Sequence, residues 1–168
     1  MHLPQLRRRD GGAAERGAAA VEFALVLPVL LLLVFGMLNW GVVMSQQISL
    51  NSSVRDAARA GVVTGGVGAT GQTCQQVIDR TRNSVSALNF TPANLGVTVT
   101  LDGTTVCTAP AGQASASSGG STIVCSGAAP GGGQLKVATT YTSKMLVAII
   151  PPANFTLSAA GQFTCEYT

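Results

Sequence analysis

Charged side chains are scarce in this 168-residue sequence, at 10%, and the mean hydropathy is positive at +0.37. Of the 10 lysines and arginines, four lie within the first seventeen residues, at Arg7, Arg8, Arg9 and Arg16, which leaves six scattered over the remainder. A nucleic-acid partner requires a basic face that neutralises several phosphates. Six scattered cations do not form such a face, so we expect no nucleic-acid binding.

Histidine is almost missing, since His2 in the basic N-terminal segment is the only one. The acidic residues that follow Glu22 stand singly, at Asp56, Asp79, Asp102 and Glu166. Nucleophilic catalysis of the serine–histidine type and acid–base catalysis by paired carboxylates both need groups that can converge. The sequence therefore predicts no enzyme, no cofactor and no small-molecule substrate.

A phosphate-binding lysine is also missing where a glycine-rich pattern suggests one. Residues 66–71 match the G-x-G-x-x-G pattern of dinucleotide-binding proteins and nearly match a P-loop, but Gln72 occupies the lysine position. The segment follows a helical pattern instead of a strand, and no acidic residue lies about twenty positions later. We interpret residues 66–71 as a hinge between two helices.

One long apolar run, residues 18–44, is interrupted only by Glu22 and Asn39. As a helix it is roughly 40 Å long, against about 30 Å of bilayer hydrocarbon, so it can span a membrane. The arginines that precede it predict a cytoplasmic N-terminus, and Trp40 suits the far interface. Two alternatives, a buried core helix and a secretory signal peptide, fit less well. The chain is too short to enclose a buried helix of this length. A secretory signal peptide has a shorter apolar part, followed by a small-x-small cleavage site.

Four cysteines, Cys74, Cys107, Cys125 and Cys165, lie in the region predicted to be outside the cytoplasm, where disulfides persist. Zinc is the competing interpretation, but no Cys-x-x-Cys pair is present, so we expect two disulfides and no metal. Four cysteines allow three pairings. We favour Cys107 with Cys125, which flank a Gly/Ser/Ala-rich loop, and Cys74 with Cys165.

The strongest motif is residues 15–28, ERGAAAVEFALVLP, which closely resembles the N-terminus of TadE-like proteins of tight-adherence (Flp-type) pili. In the wider type IV pilin class, a prepilin peptidase cleaves after a glycine, and a glutamate follows at the fifth mature position. The resemblance makes Gly17 the cleaved glycine, Ala18 the first mature residue and Glu22 the fifth, followed by Phe23 as a family aromatic. Pro28 within the run gives mild support.

The resemblance implies a structural pilin-like component, a minor pilin or pseudopilin, in the bacterial inner membrane. Its expected partners are the prepilin peptidase, other pilin subunits and the pilus assembly platform. Independently of the family, cleavage creates an amine on Ala18 one helical turn from Glu22, and a neighbouring subunit's amine could neutralise that carboxylate. The alternative is an uncleaved single-pass anchor with a periplasmic binding or scaffolding domain.

The resemblance continues weakly through residues 51–61, an Ala/Arg-rich helical extension. We predict a leader at 1–17, a membrane helix at 18–44, its extension at 45–62 and an outer domain at 63–168. Five apolar side chains are expected on one face of the extension, at Met44, Ile48, Val54, Ala58 and Val62. The glycines at 65 and 66 should end the helix.

The outer domain is predicted to be α+β, with a second helix over residues 73–88 whose Arg80 and Arg82 face water. Alternation over 97–101 and 104–107 around Asp102-Gly103 predicts a β-hairpin. Further strands are expected at 122–125, at 135–141 and at 155–167 with a break near Gly161. Residues 110–120 and 128–133 are expected to form surface loops. The apolar segment 145–150 is too short to span a membrane, and we expect a buried strand or helical turn there or a docking patch.

Overall fold

The computed structural model describes residues 11–63, 71–87, 89–128, 132–145 and 154–166. The chain divides into two compact units, Met1–Leu38 and Asn39–Thr168. Several predictions fall outside the described residues: most of the leader, the helix end at Gly65 and Gly66, most of the hinge, and residues 146–150 of the short apolar segment.

A single helix, α1, extends over Gly11–Val62, which confirms the predicted long N-terminal helix. It continues through Pro28, a residue that membrane helices tolerate. Its most apolar 18-residue window has a mean hydropathy of 2.6 and contains no buried residue. The helix is therefore long and apolar enough to cross a membrane, and the described part of the chain does not bury the side chains of that window.

Within the second unit, the last turns of α1 pack against the core through five buried side chains, Leu50, Val54, Ala57, Ala58 and Val62. The prediction that Met44 and Ile48 share this face is wrong, because they are 42% and 68% exposed. Leu50 lies four residues before Val54 and shares its side of the helix, whereas Ile48 lies six residues before it and roughly 120° away.

The second helix, α2, covers Cys74–Asn83 and is shorter than predicted. It begins with a capping box, in which the Thr73 backbone N–H donates to Gln76 Oε1 at 2.9 Å and the Gln76 N–H donates to Thr73 Oγ1 at 3.4 Å. The helix ends where the Ser84 N–H donates to the Arg80 carbonyl. Val85 therefore contributes to the core from outside the helix.

Arg82 is buried in α2, with 6% of its surface exposed, so the prediction that it faces water is wrong. Its guanidinium donates to the carbonyls of Ala114 at 2.7 Å, Leu95 at 3.0 Å and Pro110 at 3.4 Å. Residues 110–120 form a loop, as predicted, but this loop folds back over α2 and covers the arginine. Helical periodicity alone carries no information on that covering loop.

Four antiparallel strands form one sheet in the order β2-β1-β3-β4. They are β1 Gly96–Leu101, β2 Thr104–Ala109, β3 Gln134–Lys144 and β4 Asn154–Thr164, and a short 3₁₀ turn, Pro92–Asn94, precedes β1. The β1–β2 hairpin turns at Asp102 and Gly103, whose φ angles of 49° and 81° suit a two-residue type I′ turn. The predicted hairpin and the α+β class are confirmed.

Two strand predictions need correction. Residues 122–125 form no strand, and only an isolated bridge joins Ile123 to Thr73. The strand β4 passes through Gly161 without a break, since Gly161 pairs with Val137 in an unbroken register. A helix lies so close to Gly161 that a side chain has no room there, which explains the glycine without any interruption of the strand.

The core lies between one face of the sheet and the two helices. Alternate residues of the strands point inward, including Val99 of β1, Val137 of β3 and Leu157 of β4. At Gly61 of α1, an added Cβ would lie 2.8 Å from Leu135 Cδ2 and 3.3 Å from Val77 Cγ2. The second unit is thus a two-layer α+β arrangement with α1 close-packed on the sheet.

Candidate assembly surfaces

The four residues of the predicted processing and assembly motif, Gly17, Ala18, Glu22 and Phe23, all lie in α1 and are exposed. Ala18 and Glu22 are four residues apart and so share one side of the helix. A Cβ on Gly17 would meet nothing within 4 Å. The structure therefore presents this segment to neighbours, while cleavage after Gly17 and the role of Glu22 stay predictions.

Exposed apolar side chains continue along α1 from Val21 to Trp40, and Phe23 is 67% exposed. An exposed apolar surface of this extent marks a membrane or partner contact. This exposure agrees with the membrane segment expected from the length and apolar character of residues 18–44.

An open groove of ≈ 590 Å³ lies in the second unit, between α1 and the segment that follows α2. Its α1 wall is Gly41, Met44, Ser45, Ile48, Ser49 and Ser52, and its other wall is Ser84 and Ser86. The small residues at 41, 45 and 49 repeat every four positions, so they line one side of the helix. This groove was not predicted from the sequence, although the small-xxx-small spacing signals a face that another helix can approach closely.

An ion pair fixes the second wall of the groove to α1. Arg80 Nε donates to Asp56 Oδ2 at 2.9 Å, and Ser84 Oγ donates to the same oxygen at 3.2 Å. The hydrogen bond from Arg80 is the main reason that the pKa of Asp56 lies below its usual value. The same pair raises the pKa of Arg80. Both side chains are about half exposed, so the pair positions the wall more than it stabilises the fold.

The disulfides join Cys74 to Cys107 and Cys125 to Cys165, with Cα–Cα distances of 6.4 and 5.9 Å. The pairing that we favoured from the sequence is wrong. The Gln75 N–H donates to the Gly120 carbonyl, so the chain after β2 returns along α2 and carries Cys125 towards the end of α1. Cys107 remains beside the start of α2, where Cys74 lies.

Metal binding finds no support in the described part of the chain, which contains no group of three or more His, Cys, Asp or Glu residues that could hold an ion. All four cysteines belong to the two disulfides.

The fold and these surfaces define a class: proteins with a candidate membrane-spanning helix near the N-terminus and a disulfide-bonded α+β unit after it in the sequence. The family model described as TadE-like protein matches residues 17–59, which confirms the resemblance predicted from residues 15–28. The matched segment also contains the α1 wall of the groove. No curated protein and no solved structure gives a significant match.

Proposed function

We propose that the protein is a pilin-like subunit, a minor pilin or pseudopilin, of Flp-type pili. Its N-terminus lies in the cytoplasm, residues 18–44 span the inner membrane, and the α+β unit lies outside. A prepilin peptidase removes residues 1–17. The observation that carries the proposal is the spacing from Gly17 to Glu22, at the N-terminal end of the apolar run and within the segment that matches the family model.

The proposed role of Glu22 follows from charge neutralisation. Cleavage creates a positive amine on Ala18, and a carboxylate within a membrane is costly unless it is paired. In an assembly of packed helices, the amine of one subunit can pair with Glu22 of its neighbour. Phe23 beside it supplies an apolar contact on the same exposed stretch.

The groove supports a second contact between helices. Gly41, Ser45 and Ser49 present little bulk, so the backbone of a neighbouring helix can approach α1 closely. Met44 and Ile48 at the same wall offer the apolar area that such a contact buries. The groove thus adds residues of α1 beyond the membrane segment, up to Ser52, to the helix surface that a neighbouring subunit can contact.

The proposal is tested by measuring how much protein enters the sheared pilus fraction of the native host. Glu22→Gln should reduce incorporation strongly, because the amide cannot pair with an amine as a charge, whereas Glu22→Asp should keep part of it. Asn51→Asp is a control that alters charge at an exposed position of the same helix outside the motif. Incorporation of Glu22→Gln at the wild-type level would contradict the proposed pairing.

A further inference from the structure

The strand β4 forms one edge of the sheet and is 11 residues long, without a charged side chain or a proline. Edge strands of monomeric proteins are commonly protected by lysine, proline, bulges or a covering segment. Among the described residues, no strand pairs with the outer side of β4, and the Gln47 side chain donates to the Ser158 carbonyl at 2.8 Å. In the described part of the chain, the outer side of β4 therefore has no neighbouring strand.

The direction of the backbone groups on β4 can be assigned. Thr139 Oγ1 donates to the Ala159 carbonyl at 3.4 Å, so that carbonyl faces β3. Alternate residues of an antiparallel edge strand direct both backbone groups away from their neighbour. Ser158, Ala160 and Gln162 therefore direct theirs outward, in agreement with the contact from Gln47. Their side chains are exposed, so nothing on these residues blocks an approaching strand.

The opposite edge of the sheet is closed. The Ser117 N–H donates to the Thr108 carbonyl at 2.8 Å, and an isolated bridge joins Thr108 to Ser118. Gly119 lies against the Val106 carbonyl so closely that a Cβ would clash with it. The loop after β2 thus occupies the outer side of β2. Within the described ranges of the chain, the sheet therefore has one open edge, at β4, and one closed edge, at β2.

The direction of α1 decides which partners can use the open edge. Gln47 contacts Ser158, the Val54 carbonyl lies against Gly161, and the Glu166 N–H donates to the Val62 carbonyl. The helix therefore runs along β4 in the same direction. If two copies paired β4 with β4 in antiparallel fashion, their α1 helices would enter from opposite ends, which two chains anchored in one membrane cannot do.

A neighbour in the same orientation can add an antiparallel strand only from its opposite sheet edge. In this fold that edge is β2, which runs antiparallel to β4 because the intervening pairings are all antiparallel. The β2 of a second copy is closed by its own loop. For antiparallel addition, the open edge therefore fits a different subunit of the same orientation, with an uncovered edge strand.

We propose that β4 receives an edge strand from a second, non-identical membrane-anchored subunit, so that the two proteins form one continuous sheet. The inference rests on the proposed function for the shared orientation and adds the class of partner. Because its other edge is closed, the protein ends such a sheet instead of extending it, which limits this contact to one neighbour.

The test uses the full-length protein in its own host, with a photo-cross-linking amino acid at position 162 and, as a control, at position 118 in the loop that covers β2. We expect one adduct from position 162, with an anchored protein of different sequence and with the linked residue in an edge strand of that protein. Position 118 should give none. Ala160→Pro removes an outward N–H and should reduce the adduct about tenfold or more, whereas Ala160→Ser, which keeps it, should not.

Intact disulfides on a non-reducing gel verify that Ala160→Pro folds. If Ala160→Pro does not fold, Ala160→Lys replaces it in the test, because a lysine protects an edge strand without removing a backbone group. An adduct between two copies of this chain, an adduct that survives both substitutions, or no adduct would each overturn the inference. The N-terminus is determined in the same cells. A cleaved chain without the adduct contradicts only the strand addition, and an uncleaved chain with the adduct contradicts only the processing.

Discussion

Gly161 of β4 lies against the backbone carbonyl of Val54 in α1, so closely that a Cβ on residue 161 would lie 2.7 Å from that oxygen. Gly161 occupies an inward-facing position of the ladder, opposite Val137. The missing side chain allows the helix backbone to approach the strand directly. This contact helps to seat the C-terminal part of α1 on the sheet.

Gly161→Ala should therefore destabilise the outer unit by about 1–3 kcal/mol, because the methyl group forces the helix away from the sheet. The measurement is the urea midpoint of the full-length protein in detergent micelles, and proteolysis of the unfolded fraction reports the extent of unfolding. Ala160→Ser, on the exposed face of the same strand, is the control and should change the midpoint little. Equal midpoints for Gly161→Ala and wild type would show that the contact has no energetic weight.

The buried Arg82 and the exposed Arg80 should behave differently although they lie two residues apart on α2. Arg82→Ala removes three charge-assisted hydrogen bonds to backbone carbonyls, which should cost about 2–4 kcal/mol. The Pro110 carbonyl keeps the Gln113 N–H as a donor, so the loss should lie towards the lower end of this range. Arg80→Ala breaks a half-exposed ion pair, and such pairs contribute about 0–1 kcal/mol. Urea unfolding of both variants tests the contrast, and a larger loss for Arg80→Ala would contradict it.

The Asp56–Arg80 pair should produce a small acid-dependent loss of stability. Since the pKa of Asp56 is lowered in the folded state, its contribution is complete above the unfolded value of about 3.9 and is lost as the pH falls through the lower folded value. In Asp56→Asn this contribution is absent. The difference in urea midpoint between wild type and Asp56→Asn should be constant from pH 7 to 5 and should shrink below about pH 4. A difference that grows on acidification would have the wrong sign.

The groove makes a prediction about assembly without a change in fold. Ser45 is exposed and lines the groove, so Ser45→Leu should fill the approach path of a neighbouring helix and reduce incorporation into pili. Asn51→Leu adds similar bulk at an exposed position of the same helix that does not line the groove. Immunoblots of whole cells and of sheared pili separate expression from incorporation. Equal incorporation of the two variants would contradict a role for the groove.

Features determined by neighbouring residues were predictable from the sequence. The turn at Asp102 and Gly103 depends on two residues that tolerate positive φ, and the alternation on either side of it predicts β1 and β2. The start of α2 at Thr73 and the long apolar helix are local in the same sense.

Features determined by the path of distant segments were not predictable. The loop at 110–120 covers Arg82 and carries Cys125 away from Cys107, so one tertiary feature explains both the buried cation and the wrong disulfide pairing. Gly161 suggested a break in a strand because the sequence does not show the helix that lies against it. The motif from Gly17 to Glu22 was found through the resemblance of residues 15–28 to TadE-like proteins, whereas the groove was missed because its two walls are more than thirty residues apart in sequence.

The measurement that tests the central claim most directly is the intact mass and N-terminal sequence of the protein from its native host, for wild type, Gly17→Ala and Gly36→Ala. Added methyl groups at 17 and 36 meet no neighbouring atoms, so neither substitution should disturb the helix. The account predicts a chain that begins at Ala18 in wild type and Gly36→Ala, and an uncleaved chain in Gly17→Ala. A wild-type chain that retains residues 1–17 would contradict the account and would support an uncleaved anchor with a scaffolding domain.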